Sequence, residues 1–249
     1  MKLLTLTLSI GLVKLLSTSL IAYAQTQNTR VNCKAQSAAL VSPVIELYTS
    51  ESCSSCPPAD KWVSSLKNKN LVVQVFHVDY WNHLSWKDRF SSPAYTARQR
   101  EVAAINQLNS IYTPQIVLNG KDWPQWHRGG SLGNQQKAQF SISLERLDEQ
   151  TVSVDVQNLA SNKQNWTAYW TVTENGQTTQ VRSGENAGQF LSHDFIVTQY
   201  QTLKEQEGNK KFNLNLKTAL AGSQKSFNFV ITHPQNAQPL QALSLSCKV

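Results

Sequence analysis

The hydrophobic period changes near residue 150, and that change limits the folds open to this 249-residue chain. Before it, residues 43–49 (with Val44, Ile45, Leu47 and Tyr48) and 71–78 are short, nearly continuous apolar runs. Such runs fit strands buried on both faces of a parallel or mixed sheet. Between them, residues 57–67 can form a helix. Ser92-Pro93 pairs a cap with a first-turn proline and opens a second helix, 92–109, striped by Tyr95, Val102, Ile105 and Leu108. Residues 115–118 make a third strand, stopped by Asn119-Gly120. The order is β-α-β-α-β, an α/β unit. After residue 150 the period is two: Val152, Val154 and Val156 alternate with polar residues, as do Trp166, Ala168, Trp170 and Val172. The latter run meets Asn175-Gly176, which predicts a hairpin. Phe212, Leu214 and Leu216 alternate again, then Phe227, Phe229 and Ile231, then Leu243, Leu245 and Cys247. Several alternating strands in about 100 residues predict a β-sandwich-like C-terminal domain. The polar stretch 129–137 serves as the linker.

The N-terminus reads as an address. Lys2 precedes an apolar run broken at Lys14, and Ala22-Tyr23-Ala24 places small residues where a signal peptidase cuts. We expect a signal peptide over 1–24, cut after Ala24, and a periplasmic or secreted protein. No segment is long and apolar enough to span a membrane. Removing 1–24 takes Lys2 and Lys14 from a formal charge of +7 and leaves +5. That excess sits in the first half and forms no phosphate-tracking stripe, so nucleic-acid binding is rejected.

Cys53-Ser54-Ser55-Cys56 lies directly after the first strand and before the first helix. A helix N-terminus stabilises a thiolate, and a lowered thiol pKa makes one sulfur an effective attacker in disulfide exchange. In that arrangement Cys53 is the exposed attacker and Cys56 resolves the mixed disulfide. Pro57 and Pro58 follow at once, which suits a helix starting at Pro57 with Cys56 as its cap. Three other readings stay open: an inert structural disulfide, half of a zinc site, and a copper site completed by His77. Zinc would want two further ligands at comparable spacing, and no second pair exists. Cys33 and Cys247 bracket the chain after the leader and most simply pair with each other in an oxidising compartment, closing a loop that contributes roughly 5 kcal/mol.

Several residues could support the dithiol. Thr113-Pro114 precedes the third strand, where thiol-exchange folds place a cis proline against the sulfurs; a trans turn proline is the alternative. His77 and Asp79 end the second strand, on the face where open α/β sheets bind ligands, and could relay protons or fix a loop. Glu46 sits in an apolar strand; burial would raise its pKa and suit it to accept a proton from Cys56, unless it forms a buried ion pair. Trp81, Trp86, Trp123 and Trp126 could wall a substrate groove or pack in the core.

Val44-Ile45-Glu46-Leu47-Tyr48-Thr49-Ser50, leading into Cys53-Ser54-Ser55-Cys56-Pro57-Pro58-Ala59-Asp60, resembles a known signature. So do Phe76-His77-Val78-Asp79-Tyr80-Trp81, Trp86-Lys87-Asp88, and the segment from Tyr112-Thr113-Pro114-Gln115 to Asn119-Gly120. Together they resemble the secreted, mostly bacterial family called domain of unknown function 1223; beyond residue 120, Ser183-Gly184-Glu185-Asn186 and Leu191 are the main echo. The resemblance implies an α/β fold, with a thioredoxin-like domain (43–145, after a 25–42 extension) followed by a β-sandwich-like domain (146–249). It also implies Cys53 and Cys56 as the dithiol and Pro114 as the cis proline. It supplies no substrate. Relative to thioredoxin, the intervening dipeptide is Ser-Ser, and Glu46 precedes Cys53 by seven residues rather than six, which turns it to the other face of its strand.

The expectation is an exported thiol–disulfide oxidoreductase acting on protein or small-molecule thiols and disulfides, with no cofactor and no resident metal. The alternatives are a non-enzymatic binding module with a structural disulfide, or a copper-binding protein using Cys53, Cys56 and His77.

Overall fold

The computed structural model describes residues 33–133, 136–217, 219–220 and 224–247; the leader expected at 1–24 lies outside them. Among the described residues there are fourteen strands and two α-helices. In chain order these are β1 (Cys33–Gln36), β2 (Val44–Thr49), α1 (Pro57–Ser64), β3 (Val72–His77), α2 (Pro93–Ile105), β4 (Gln115–Leu118) and β5 (Lys121–Asp122). There follow β6 (Phe140–Arg146), β7 (Thr151–Asn158), β8 (Asn165–Glu174), β9 (Gln177–Gln180), β10 (Phe190–His193) and β11 (Ile196–Glu207). The chain ends with β12 (Lys210–Asn215), β13 (Lys225–Thr232) and β14 (Pro239–Ser246).

The expected α/β fold, a thioredoxin-like domain followed by a β-sandwich-like one, is not what forms. The protein is mostly β, and one eight-stranded sheet, ordered β14-β13-β8-β11-β3-β2-β4-β5, runs through both parts of the chain. The physical reason lies at one edge. β2 takes one side of β3 in parallel register and leaves the other side of β3 free. β11 fills it, pairing Ile196 with Val75, while the Val75 N–H donates to the Phe195 carbonyl at 2.8 Å. An open edge is a liability, and joining the strands removes it.

Each half of the sheet is covered differently. Ile45, Leu47, Val73 and Val75 face α1, packing on Ala59 and Val63. Tyr48, Phe76 and Val117 face α2, packing on Tyr95 and Val102. At the other end, a four-stranded antiparallel sheet, β1-β6-β7-β12, lies on β8, β13 and β14. Phe140, Ile142, Val154 and Val156 meet Trp166, Trp170, Phe227 and Phe229 there, all essentially inaccessible to solvent. The alternating apolar residues read from the sequence are this core.

The elements themselves follow their local signals. Pro57 occupies the first position of α1 with Cys56 as cap, and the Ser92 hydroxyl accepts from Ala94 N–H to cap α2. The hairpin expected at Asn175-Gly176 does not form. Gly176 adopts φ +71°, but β8 pairs with β11 and β13, and β9 leaves to pair with β10 in a separate two-stranded sheet. Gly176 N–H donates to Asp194 and Phe195 N–H to Asn175, so the turn chemistry serves a loop junction. The half-cystines Cys33 and Cys247 are bonded, tying the edge of the small sheet to the end of β14 across the shared core. No helix among the described residues is long and apolar enough to cross a membrane.

Candidate active site

The turn between β2 and α1 carries Cys53 and Cys56, which are joined in a disulfide. Cys53 N–H donates to Ser50 O at 3.1 Å and Cys56 N–H to Cys53 O at 3.2 Å, a tight backbone path that ends where α1 begins. Pro57 and Pro58 remove two N–H groups, and those of Ala59 and Asp60 are taken by Cys56 O. What remains for the sulfurs is the positive end of the helix dipole rather than direct amide donors.

The Thr113-Pro114 bond is cis. The Thr113 hydroxyl donates to Cys53 Sγ at 3.3 Å and accepts from the Trp81 indole at 2.8 Å. Sequence segments sixty residues apart therefore meet at Cys53. The expectation of an exposed Cys53 is corrected: both cysteines are wholly buried. Segment 183–188 lies against the turn. Ser54 N–H donates to Glu185 at 3.0 Å, and the buried Asn186 amide donates to the carbonyls of Glu51 (2.9 Å) and Cys53 (3.0 Å). Gly184, at φ +79°, passes so close that a Cβ would lie 3.0 Å from Leu84 O. Replacing Asn186 with Ala removes two hydrogen bonds of about 1 kcal/mol each. We expect roughly tenfold faster reduction of the disulfide by dithiothreitol, followed by thiol trapping; an unchanged rate would show that the segment does not control access.

The other candidates fall into different places. Glu46 is held by Arg98 through both oxygens, with Nη2–Oε1 at 2.5 Å and Nε–Oε2 at 3.1 Å, and accepts from Tyr48 (2.6 Å) and Tyr169 (2.7 Å). Burial alone would raise its pKa, but Arg98 and the two phenols outweigh burial and hold it below the ordinary value. The proton-accepting role is therefore corrected. Glu46 faces α2, on the sheet face opposite α1 and the dithiol. Asp79 accepts from the Thr96 hydroxyl and fixes the start of α2. Trp123 packs edge-on and Trp126 tilted against Trp62 of α1, both half-buried on the cluster beneath that helix. Trp81 and Trp86 stay at the site, Trp86 donating to Glu51 at 2.8 Å.

His77 is buried with its Nδ1 at 2.7 Å from Asp88. A carboxylate only accepts, so Nδ1 donates to Asp88, and the buried Nε2 makes no hydrogen bond. The ring packs edge-on against His193, centroids 5.0 Å apart. His193, from the end of β10, stands between Glu51 and Asp60, with Nε2–Oε1 at 3.5 Å and Nδ1–Oδ1 at 3.6 Å. Burial lowers its pKa, yet the two carboxylates prevail and push it up to about 9. Asp88 also receives the N–H groups of Glu51 and Phe90, and with His77 these hold its carboxyl below the ordinary range despite burial. Glu51, Asp60, Asp88 and His193 escaped the sequence reading. Only Asp60 and Asp88 lay within quoted motifs, and nothing local marked their convergence.

A crystal structure of a protein from Agrobacterium tumefaciens superposes with a TM-score of 0.65 at 24% identity, covering 85% of this chain and 96% of that one. That likeness speaks to the fold alone. No curated protein matches the sequence. The model of the family described as "Protein of unknown function (DUF1223)" matches residues 44–232, a span that holds the disulfide turn, the cis proline and the covering segment. On that match the chain belongs to this family.

Proposed function

We propose that the protein is an exported thiol–disulfide oxidoreductase working through Cys53 and Cys56. The observation that carries this reading is the disulfide at the start of α1 with Thr113 and cis Pro114 against Cys53 Sγ. A substrate thiolate attacks Cys53 Sγ, and the Cys53–Cys56 bond breaks with Cys56 leaving as thiolate. A second substrate thiolate then attacks the substrate sulfur of the mixed disulfide, and Cys53 leaves. The substrate loses two electrons and two protons, which end on the two cysteines; the reverse sequence reduces a substrate disulfide. Pro114 and Thr113 shape the surface that the substrate sulfur meets.

The burial of both sulfurs favours a second reading, a binding module whose disulfide is inert. The reduction potential separates them. By glutathione titration with mass-spectrometric thiol counting, we expect a value between about −120 and −270 mV, the range of exchange catalysts. A value below about −300 mV marks a structural disulfide and removes the enzyme reading. Cys53→Ser should abolish exchange, whereas Cys56→Ser should accumulate mixed disulfides with substrate.

A further inference from the structure

We propose that His77, His193 and Asp60 form a binding site for a first-row divalent metal ion, separate from the dithiol. One ring nitrogen of each histidine and one Asp60 oxygen lie within 4.8 Å of one another, and all three residues are buried. His193 Nδ1 and Asp60 Oδ1 are 3.6 Å apart. Among the described residues, His77 Nε2, both His193 ring nitrogens and Glu51 Oε1 are buried without a hydrogen-bond partner. Buried polar atoms are nearly always paired, so several orphans in one place imply a missing ligand.

The surroundings are those of a built metal site. Metal-binding histidines are oriented by a carboxylate on the second ring nitrogen. Asp88 does this for His77 at 2.7 Å, and Glu51 stands 3.5 Å from His193 Nε2, leaving Nδ1 towards Asp60. Asp60 is oriented in turn: the Thr49 hydroxyl donates to Oδ2 at 2.9 Å, which frees Oδ1. Charge points the same way. Glu51, Asp60 and Asp88 are three buried carboxylates, and among the described residues no lysine or arginine pairs with them. His193 faces both Glu51 and Asp60, at 3.5 and 3.6 Å, and one imidazole cannot balance two carboxylates; burying the excess negative charge is costly, and a divalent cation offsets it. A proton on His193 would leave His77 Nε2 without a partner, whereas an ion occupies both rings at once. Two imidazoles and a carboxylate suit zinc and its neighbours rather than calcium or magnesium. Ligand bonds of about 2.0–2.2 Å place donors about 3.3 Å apart, so binding draws together those of the three donors that now stand farther apart.

Zinc is the probe. The protein with its Cys53–Cys56 disulfide intact should take up one equivalent by calorimetry against a competing chelator. His77→Gln and His193→Gln should each weaken binding at least about 100-fold, beyond the effect of losing only an orienting partner. In the unmutated protein, long-range proton–nitrogen spectra should show zinc moving the ring nitrogens of His77 and His193 and not those of His83, His127 or His233. No uptake, or shifts confined to those three, would overturn the site. The Cys53→Ser/Cys56→Ser double variant should bind zinc as the parent does; loss there would assign the ion to thiolates instead. Because that variant has no exchange activity, the metal site stands or falls independently of the redox reading.

Discussion

Replacing Arg98 with Ala should destabilise the protein by about 3–5 kcal/mol, the cost of stranding a buried charge. Glu46 and Arg98 have side chains 5% and 10% exposed, and the guanidinium lies 4.0 Å from the Tyr169 ring. Removing it leaves the Glu46 carboxylate with two phenols and no cation, in the seam where β2, α2 and β8 meet. The pH dependence follows from the sign of the shift. Glu46 titrates below its ordinary value of 4.5 in the native protein. Its contribution is therefore present above that value and is lost as pH falls through the depressed native one. In the Ala variant only the Tyr48 and Tyr169 hydroxyls oppose burial, the largest influence, which favours the protonated acid, so the stability gap between parent and variant should narrow as pH falls towards 4.5. Urea denaturation at neutral and mildly acidic pH checks both statements. A loss below about 1 kcal/mol at neutral pH would mean that solvent reaches the pair. Because Glu46 lies on the face away from the dithiol, Glu46→Gln should leave the Cys53–Cys56 potential unchanged.

Loss of the Cys33–Cys247 bridge should have a comparable effect. The bridge closes a separation of 214 residues. In the chain-entropy model, such a loop restricts the unfolded chain by roughly 5 kcal/mol. Its native setting adds to the expectation, since Cys247 is 6% exposed within the core between the two sheets and Cys33 packs on it. The Cys33→Ser/Cys247→Ser variant should melt about 10–20 °C lower, using the scaling for a chain of this size. Differential scanning calorimetry reads the shift. A change of only a degree or two would show that the bridge restricts the unfolded chain far less than the loop model requires. On the proposed exchange function, activity at Cys53 and Cys56 should survive at temperatures where the variant remains folded, which separates the two disulfides by role.

The sequence alone determined the elements whose signals are local. The apolar runs are β2 and β3; Ser92-Pro93 does open α2; the period-two segments carry the inter-sheet core. The disulfide turn was legible because Cys53, Cys56, Pro57 and Pro58 are contiguous. Strand pairing was not legible, because alternation reports which face a residue buries and not which edge its backbone meets. β11, the strand that joins the halves, has the weakest signal: only its first residues are buried, and most of the rest, including Lys204 and Glu205, are exposed. Its place is set by antiparallel pairing along β8, with Ile196 alone reaching the edge of β3 at Val75. Asn175-Gly176 was a true turn signal with the wrong partner strand, for the same reason. The ion pair of Glu46 needed Arg98 from α2, and the cluster at His77 needed Glu51, Asp60, Asp88 and His193 from four separate segments. Residue types and local periods are written along the chain, whereas burial, charge pairing and convergence are properties of a packed interior. Tertiary structure alone decided those.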